Sequence, residues 1–171
     1  MQIWRSIKQA GFLAALVAVT SMAASAQGGA IILKPAELTK LIPQTVFYRG
    51  QSATTQLRNS SGIKFADGFL VLTTMVDTSG YSTGIQAKYQ AYFITEVPIQ
   101  VAGQSLAPGA YGIGFIEGNK FLVTDLGAHD VLTAASVTDS ELKHPVPLQI
   151  LADSGGGFRL YAGRSYVVLT R

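Results

Sequence analysis

The sequence predicts an all-β protein: a single β-sandwich or jelly-roll-like domain with a short N-terminal helix, following a signal peptide. Three observations carry this. From residue 44 onward the chain divides into about nine short β-branched and aromatic runs, set apart by Gly, Asn, Asp and Ser. Several of these runs alternate apolar and polar residues with the period of a half-buried strand. The chain of 171 residues lacks cysteine, yet it is long enough to bury one core without a disulfide or metal staple.

Arg5 and Lys8 precede an apolar run from Gly11 to Met22 that closes on Ala24-Ser25-Ala26. This is the pattern of a secretory signal peptide over residues 1–26. The run is about a dozen residues, against the roughly 20 of a spanning helix, so the mature chain should start at Gln27 with no integral membrane insertion. Its expected location is the periplasm or the extracellular space. The only tryptophan, Trp4, leaves with the signal, which argues against an outer-membrane barrel with aromatic girdles. Of thirteen Lys and Arg, Arg5 and Lys8 leave too; eleven basic residues then face ten acidic ones, a net charge of +1. So neutral a surface gives no footprint for nucleic acid. The absence of cysteine also excludes a thiol nucleophile, a Cys-based zinc site and a lipidated N-terminal Cys.

Residues 27–43 read as a linker and one short helix. Pro35 suits its first turn, Leu38, Leu41 and Ile42 make an i, i+3, i+4 stripe, and Pro43 ends it. The sandwich is expected over residues 44–171. Ile63 to Ala66 and Phe69 to Val76 pair across Asp67-Gly68, and the second run, apolar on both faces, should be a central strand. Residues 80–88 read as loop or helical turn, with a strand from about Tyr89. Ala110 to Asp125 is a hairpin with Tyr111, Ile113, Phe115 and Glu117 on one face and a two-residue turn at Gly118-Asn119. Ala110, Gly112 and Gly114 on its other face leave room for a second backbone, a bulky ring or a ligand. Val146, Leu148, Ile150 and Ala152 form an edge strand begun by Pro145 and Pro147. Gly155-Gly156-Gly157 is a loose hairpin loop, and Phe158 to Ala162 closes with Ser165 to Thr170 across Gly163-Arg164.

Candidate chemistry is sparse. His129 lies beside Asp130 and near Asp125, and His144 follows Glu141, but neither a His-x-His nor a His-Glu-x-x-His spacing occurs. No catalytic residue, metal ligand or cofactor is expected. Tyr81, Tyr89 and Tyr92, with Lys88 among them, surround a Ser/Gly/Thr-rich loop. Tyrosine joins a flat apolar face to a polar tip, so these four residues are the candidate ligand-binding set, suited to a glycan or another envelope protein. The competing reading places two of the rings in the core and the third at its rim. Arg159 and Tyr161 share one strand face, where stacking would serve structure or function equally.

Gly103-Gln104-Ser105-Leu106-Ala107-Pro108-Gly109-Ala110-Tyr111-Gly112 resembles a hairpin of uncharacterised exported bacterial β-sandwich proteins, whose usual form is Gly, two residues, then Leu-Pro-Ala-Gly-x-Tyr. Here Ala107-Pro108 replaces Pro-Ala, and Pro108-Gly109 fits the centre of a type II turn, which would give Gly109 a positive φ. The resemblance implies a secreted sandwich and no activity. The expected function is therefore a non-catalytic binding or envelope-structural role. The alternatives are a closed barrel around a lipid or other apolar ligand, and a secreted hydrolase using His129 or His144.

Overall fold

The structure is a computed structural model that describes residues 29–171, and the expected signal peptide at residues 1–26 lies outside the described residues. The chain runs β1 (Ile31–Leu33), α1 (Pro35–Leu38), β2 (Thr45–Tyr48), β3 (Gln51–Lys64), β4 (Leu70–Val76), α2 (Thr83–Gln86), β5 (Ala91–Thr95), β6 (Ile99–Val101), β7 (Gln104–Leu106) and β8 (Gly109–Ile116). It continues through β9 (Lys120–Thr124), β10 (Asp130–Ala135), β11 (Val137–Thr138), β12 (Gln149–Ala152), β13 (Phe158–Ala162) and β14 (Ser165–Thr170). All strand pairs are antiparallel. One eight-stranded sheet has the order β1-β3-β4-β5-β8-β9-β10, with β2 also on β3. A six-stranded sheet has the order β12-β13-β14-β6-β7, with β11 on β14. The protein is an all-β sandwich.

Alternation along the strands sends one face of each sheet inward. Ala91, Ile113, Val123 and Leu132 are neighbours across β5, β8, β9 and β10, and Ile150, Leu160 and Val167 across β12, β13 and β14. All seven belong to the one buried cluster between the sheets. The core is filled: a cavity there, between Met75, Ala91, Ile113 and Leu148, holds only about 10 Å³. Among the described residues the strands form two separate sheets rather than one closed barrel.

The outer face of the larger sheet is also covered, by two satellite clusters. Leu38 and Ile42 from α1 and the turn after it lie with Leu33 on Leu72, giving β4 the second buried face its sequence predicts. The helix itself is one turn rather than the stretch expected to Ile42. Beyond Leu38 the chain continues as an irregular turn held by the Leu41 and Ile42 N–H groups on the Leu38 carbonyl, and Leu41 stays exposed. Ile31–Leu33, expected in the linker, is a strand paired with Gly62–Lys64.

Several turns differ from expectation. The β8–β9 register pairs Ile116 with Lys120, so the loop is Glu117-Gly118-Asn119, three residues, and both Gly118 and Asn119 have positive φ. Gly109 has no positive φ; it is the first residue of β8, and the tight turn is Ala102-Gly103, where φ is 47° and 80°. Two successive positive φ values match the twist of the flanking strands, as type I′ hairpins do. A side chain at Gly109 would crowd Tyr111, whose ring folds back over it while its hydroxyl donates to the Ala107 carbonyl at 2.9 Å, leaving a Cβ 3.0 Å from that hydroxyl.

The longest strand, β3, was not legible as one element. Its partner β4 pairs with Gln56 and next with Ser60, so Leu57-Arg58-Asn59 bulge out unpaired. β1 and β2 pair with β3 on either side of this bulge.

Candidate functional site

The sequence-predicted tyrosines are brought together, but as a core. Tyr48 at the end of β2 stacks on Tyr89 at 3.8 Å between ring centres and 16° between planes, and Tyr81 meets both edge-on at 6.0 and 5.7 Å. The Tyr48 hydroxyl donates to Thr124 Oγ1 at 2.8 Å, which in turn donates to the Gly112 carbonyl, and the Tyr81 hydroxyl donates to the Tyr48 carbonyl. Tyr89 is 0% exposed. Its hydroxyl is buried with no hydrogen-bond partner among the described residues. Burial pushes the phenol pKa of Tyr48, Tyr81 and Tyr89 upward, most strongly at Tyr89.

The strand glycines make this packing possible. A Cβ on Gly112 would lie 2.6 Å from the Tyr48 ring and 2.9 Å from that of Tyr89, and one on Gly114 would lie 2.1 Å from the Lys88 carbonyl oxygen. The open face of β8 is thus occupied by both a ring and a backbone from the same chain. Tyr81 and Tyr89, expected at a binding surface, are buried with their rings against Tyr48 and each other, and Gly112 gives the Tyr48 and Tyr89 rings their room. Tyr92 is the half-buried rim residue, packed against this cluster. Lys88 is half-exposed and pairs with Asp130 at 3.4 Å.

The histidines do not converge with other groups. His129 sits on the β9–β10 turn with its side chain 82% exposed, its Nδ1 2.9 Å from Asp125 Oδ2. Two bonds from His129 hold the Asp125 carboxyl below the usual carboxylate range. His144 is exposed on the connection between β11 and β12, which belongs to the other sheet. Among the described residues no three His, Asp or Glu side chains gather as a metal set would.

Arg159 and Tyr161 belong to a polar network on the outer face of the smaller sheet. Arg159 Nε donates to Asp153 at 2.6 Å and its guanidinium lies 4.7 Å over the Tyr166 ring, while Tyr161 donates to Asp139 at 2.8 Å. Arg164 NH1 donates to the carbonyls of Asp139, Ser140 and Leu142. Each of these groups has a partner within the chain, and together they fasten the loop after β11 to the sheet.

A cleft that sequence reasoning did not find lies where the free edges of the two sheets splay. On one side are β1, the start of α1 and the β3 bulge; on the other are β12 and the segment before it. Its volume is about 550 Å³. Its apolar lining comes from Ile32, Pro35, Val146, Pro147, Leu148 and Leu151, and Val146 and Leu151 are partly exposed to solvent. The Ile150 N–H donates to Ser61 Oγ at 3.1 Å and stitches the sheets together here. Arg58 and Asn59 line both this cleft and a second, polar depression of about 440 Å³, formed with Gln44, Thr54, Thr55 and Gln56. The only sequence signals near the cleft were the edge strand with its prolines and the unmatched polar stretch around Arg58.

Comparison with protein-family models, with curated proteins and with solved structures found no match to this chain.

Proposed function

We propose that this protein is an exported, non-catalytic binding protein, and that its ligand occupies the cleft between the sheet edges. The observation that carries the reading is the apolar, partly exposed lining of a surface cleft in a molecule whose main core is filled. Its size falls within the roughly 300–1,000 Å³ typical of small-molecule sites, and apolar walls with a few polar groups are their usual chemistry. The tyrosine cluster gives little support to a competing site, since its rings are packed on one another. Export rests on the signal-like N-terminus.

The test is nuclear magnetic resonance titration of the isotopically labelled mature protein with 1-decanol, a neutral probe with an apolar chain. Shifts should be confined to the amides of residues 32–34, 58–61 and 148–151. Shifts centred on Tyr92 and Lys88, or no saturable shift at all, would remove the cleft as the binding site.

A further inference from the structure

Resting on that reading, we infer that the cleft takes a single-chain amphiphile with an anionic head, its chain along the apolar wall and its head at Arg58 and Lys34. The cleft and the depression beside it differ in chemistry, and Arg58 and Asn59 line both. In the cleft the walls are mainly apolar, from Ile32, Pro35, Leu148 and Leu151 with Ser60 and Ser61 beside them; in the depression they are threonines, glutamines and asparagine with Leu57. A ligand spanning both must itself be apolar at one end and polar at the other.

The sign of its charge follows from the lining. Lys34 and Arg58 are the charged residues of the two regions, and neither contains Asp or Glu. Neither side-chain cation forms an ion pair among the described residues, although the Glu37 carboxylate accepts the Lys34 backbone N–H at 2.8 Å, so Arg58 is the cation farther from an acid. Arg58 is carried there by the bulge itself. Three residues without partners on β4 push its side chain out of the ladder at the junction of the two regions. A guanidinium there can grip a carboxylate through two parallel N–H bonds, while Gln44 and Thr54 supply neutral donors in the same depression.

The experiment compares decanoate, 1-decanol and decyltrimethylammonium, each below its micellar concentration, on the mature protein and on a Lys34→Gln/Arg58→Gln variant. Both replaced residues are exposed, so the fold should persist, and an unchanged melting temperature confirms it. Decanoate should bind the parent most tightly, and the variant should lose about tenfold to a hundredfold for decanoate, the range for hydrogen bonds to a charged group. Decanol affinity should change less than about twofold, since it makes no ionic contact. Equal binding of decanoate and decanol, or decanoate binding untouched by the variant, would overturn the anionic head while leaving the cleft as an apolar site. Tightest binding of the cationic probe would do the same. No shift with any probe overturns both readings. Cosedimentation with anionic phospholipid vesicles, without decanoate binding, would replace the single-chain ligand by a membrane surface.

Discussion

At the residue scale, the tyrosine cluster sets two hydroxyls in similar packing with opposite consequences. Tyr48 gives its proton to Thr124, so Tyr48→Phe removes a buried bond and should lower stability by about 1 kcal/mol, the net worth of such a bond. Tyr89 has its hydroxyl buried without a partner among the described residues, and a buried unsatisfied group is a standing penalty. Tyr89→Phe should therefore leave stability unchanged or raise it by about 1 kcal/mol. Urea unfolding of the two variants gives the check, and equal destabilisation would mean that a water satisfies Tyr89. The glycines around the cluster illustrate how much of this was legible. The alternation of Ala110, Gly112 and Gly114 announced an open strand face, but the occupants, the Tyr48 and Tyr89 rings and the Lys88 carbonyl, come from residues 23 to 64 positions earlier, beyond the reach of local pattern. The same distance left Tyr81 and Tyr89 readable either as core or as surface.

At the element scale, the loop after β11 shows how polar groups hold a segment with little apolar burial. Hydrogen bonds from Tyr161 and from Arg159 hold the carboxyls of Asp139 and Asp153 below the usual range. Because their folded values lie below the ~3.9 of an unfolded aspartate, their contribution is whole above that pH and is lost as pH falls through and below it. The melting temperature of the parent should then be level near neutrality and drop below about pH 4. An Asp139→Asn/Asp153→Asn variant should start lower and lose less on acidification, though Asp67 and Asp125, also depressed, keep some of the slope. Parallel acid limbs for parent and variant would show that this network is not the source. The elements themselves were legible in proportion to how far apolar alternation marked them. β13, Gly163-Arg164 and β14 match the sequence reading residue for residue. β3 escaped it because Ser60, Ser61 and Gly62 are buried there while Arg58 and Asn59 bulge out, so burial no longer follows hydrophobicity. Short pairings such as β1, β6, β7 and β11 account for most of the excess of fourteen strands among the described residues over about nine expected, since a strand of two or three residues carries too little alternation to see.

At the scale of the whole molecule, β14 is an interior strand of the smaller sheet. β14 lies between β13 and β6, and β11 adds to it, so the smaller sheet has no continuous ladder without residues 165–170. Its pairing of Leu169 with Val101 joins positions 68 residues apart, and Val167 and Leu169 enter the core shared by both sheets. Such distant pairings are slow to form, because loop closure must precede the contacts that reward it. Arg171 adds a last tie, with a two-pronged ion pair to Asp67 on the β3–β4 turn at 2.9 and 2.6 Å and its guanidinium 4.7 Å over Phe65. Removal of residues 165–171 should accordingly abolish cooperative thermal unfolding, although every strand of the larger sheet is retained. Circular dichroism melting of the truncated protein decides it. A sharp transition in that variant would show that the eight-stranded sheet folds alone, with α1 and the tyrosine cluster supplying enough buried surface on its outer face.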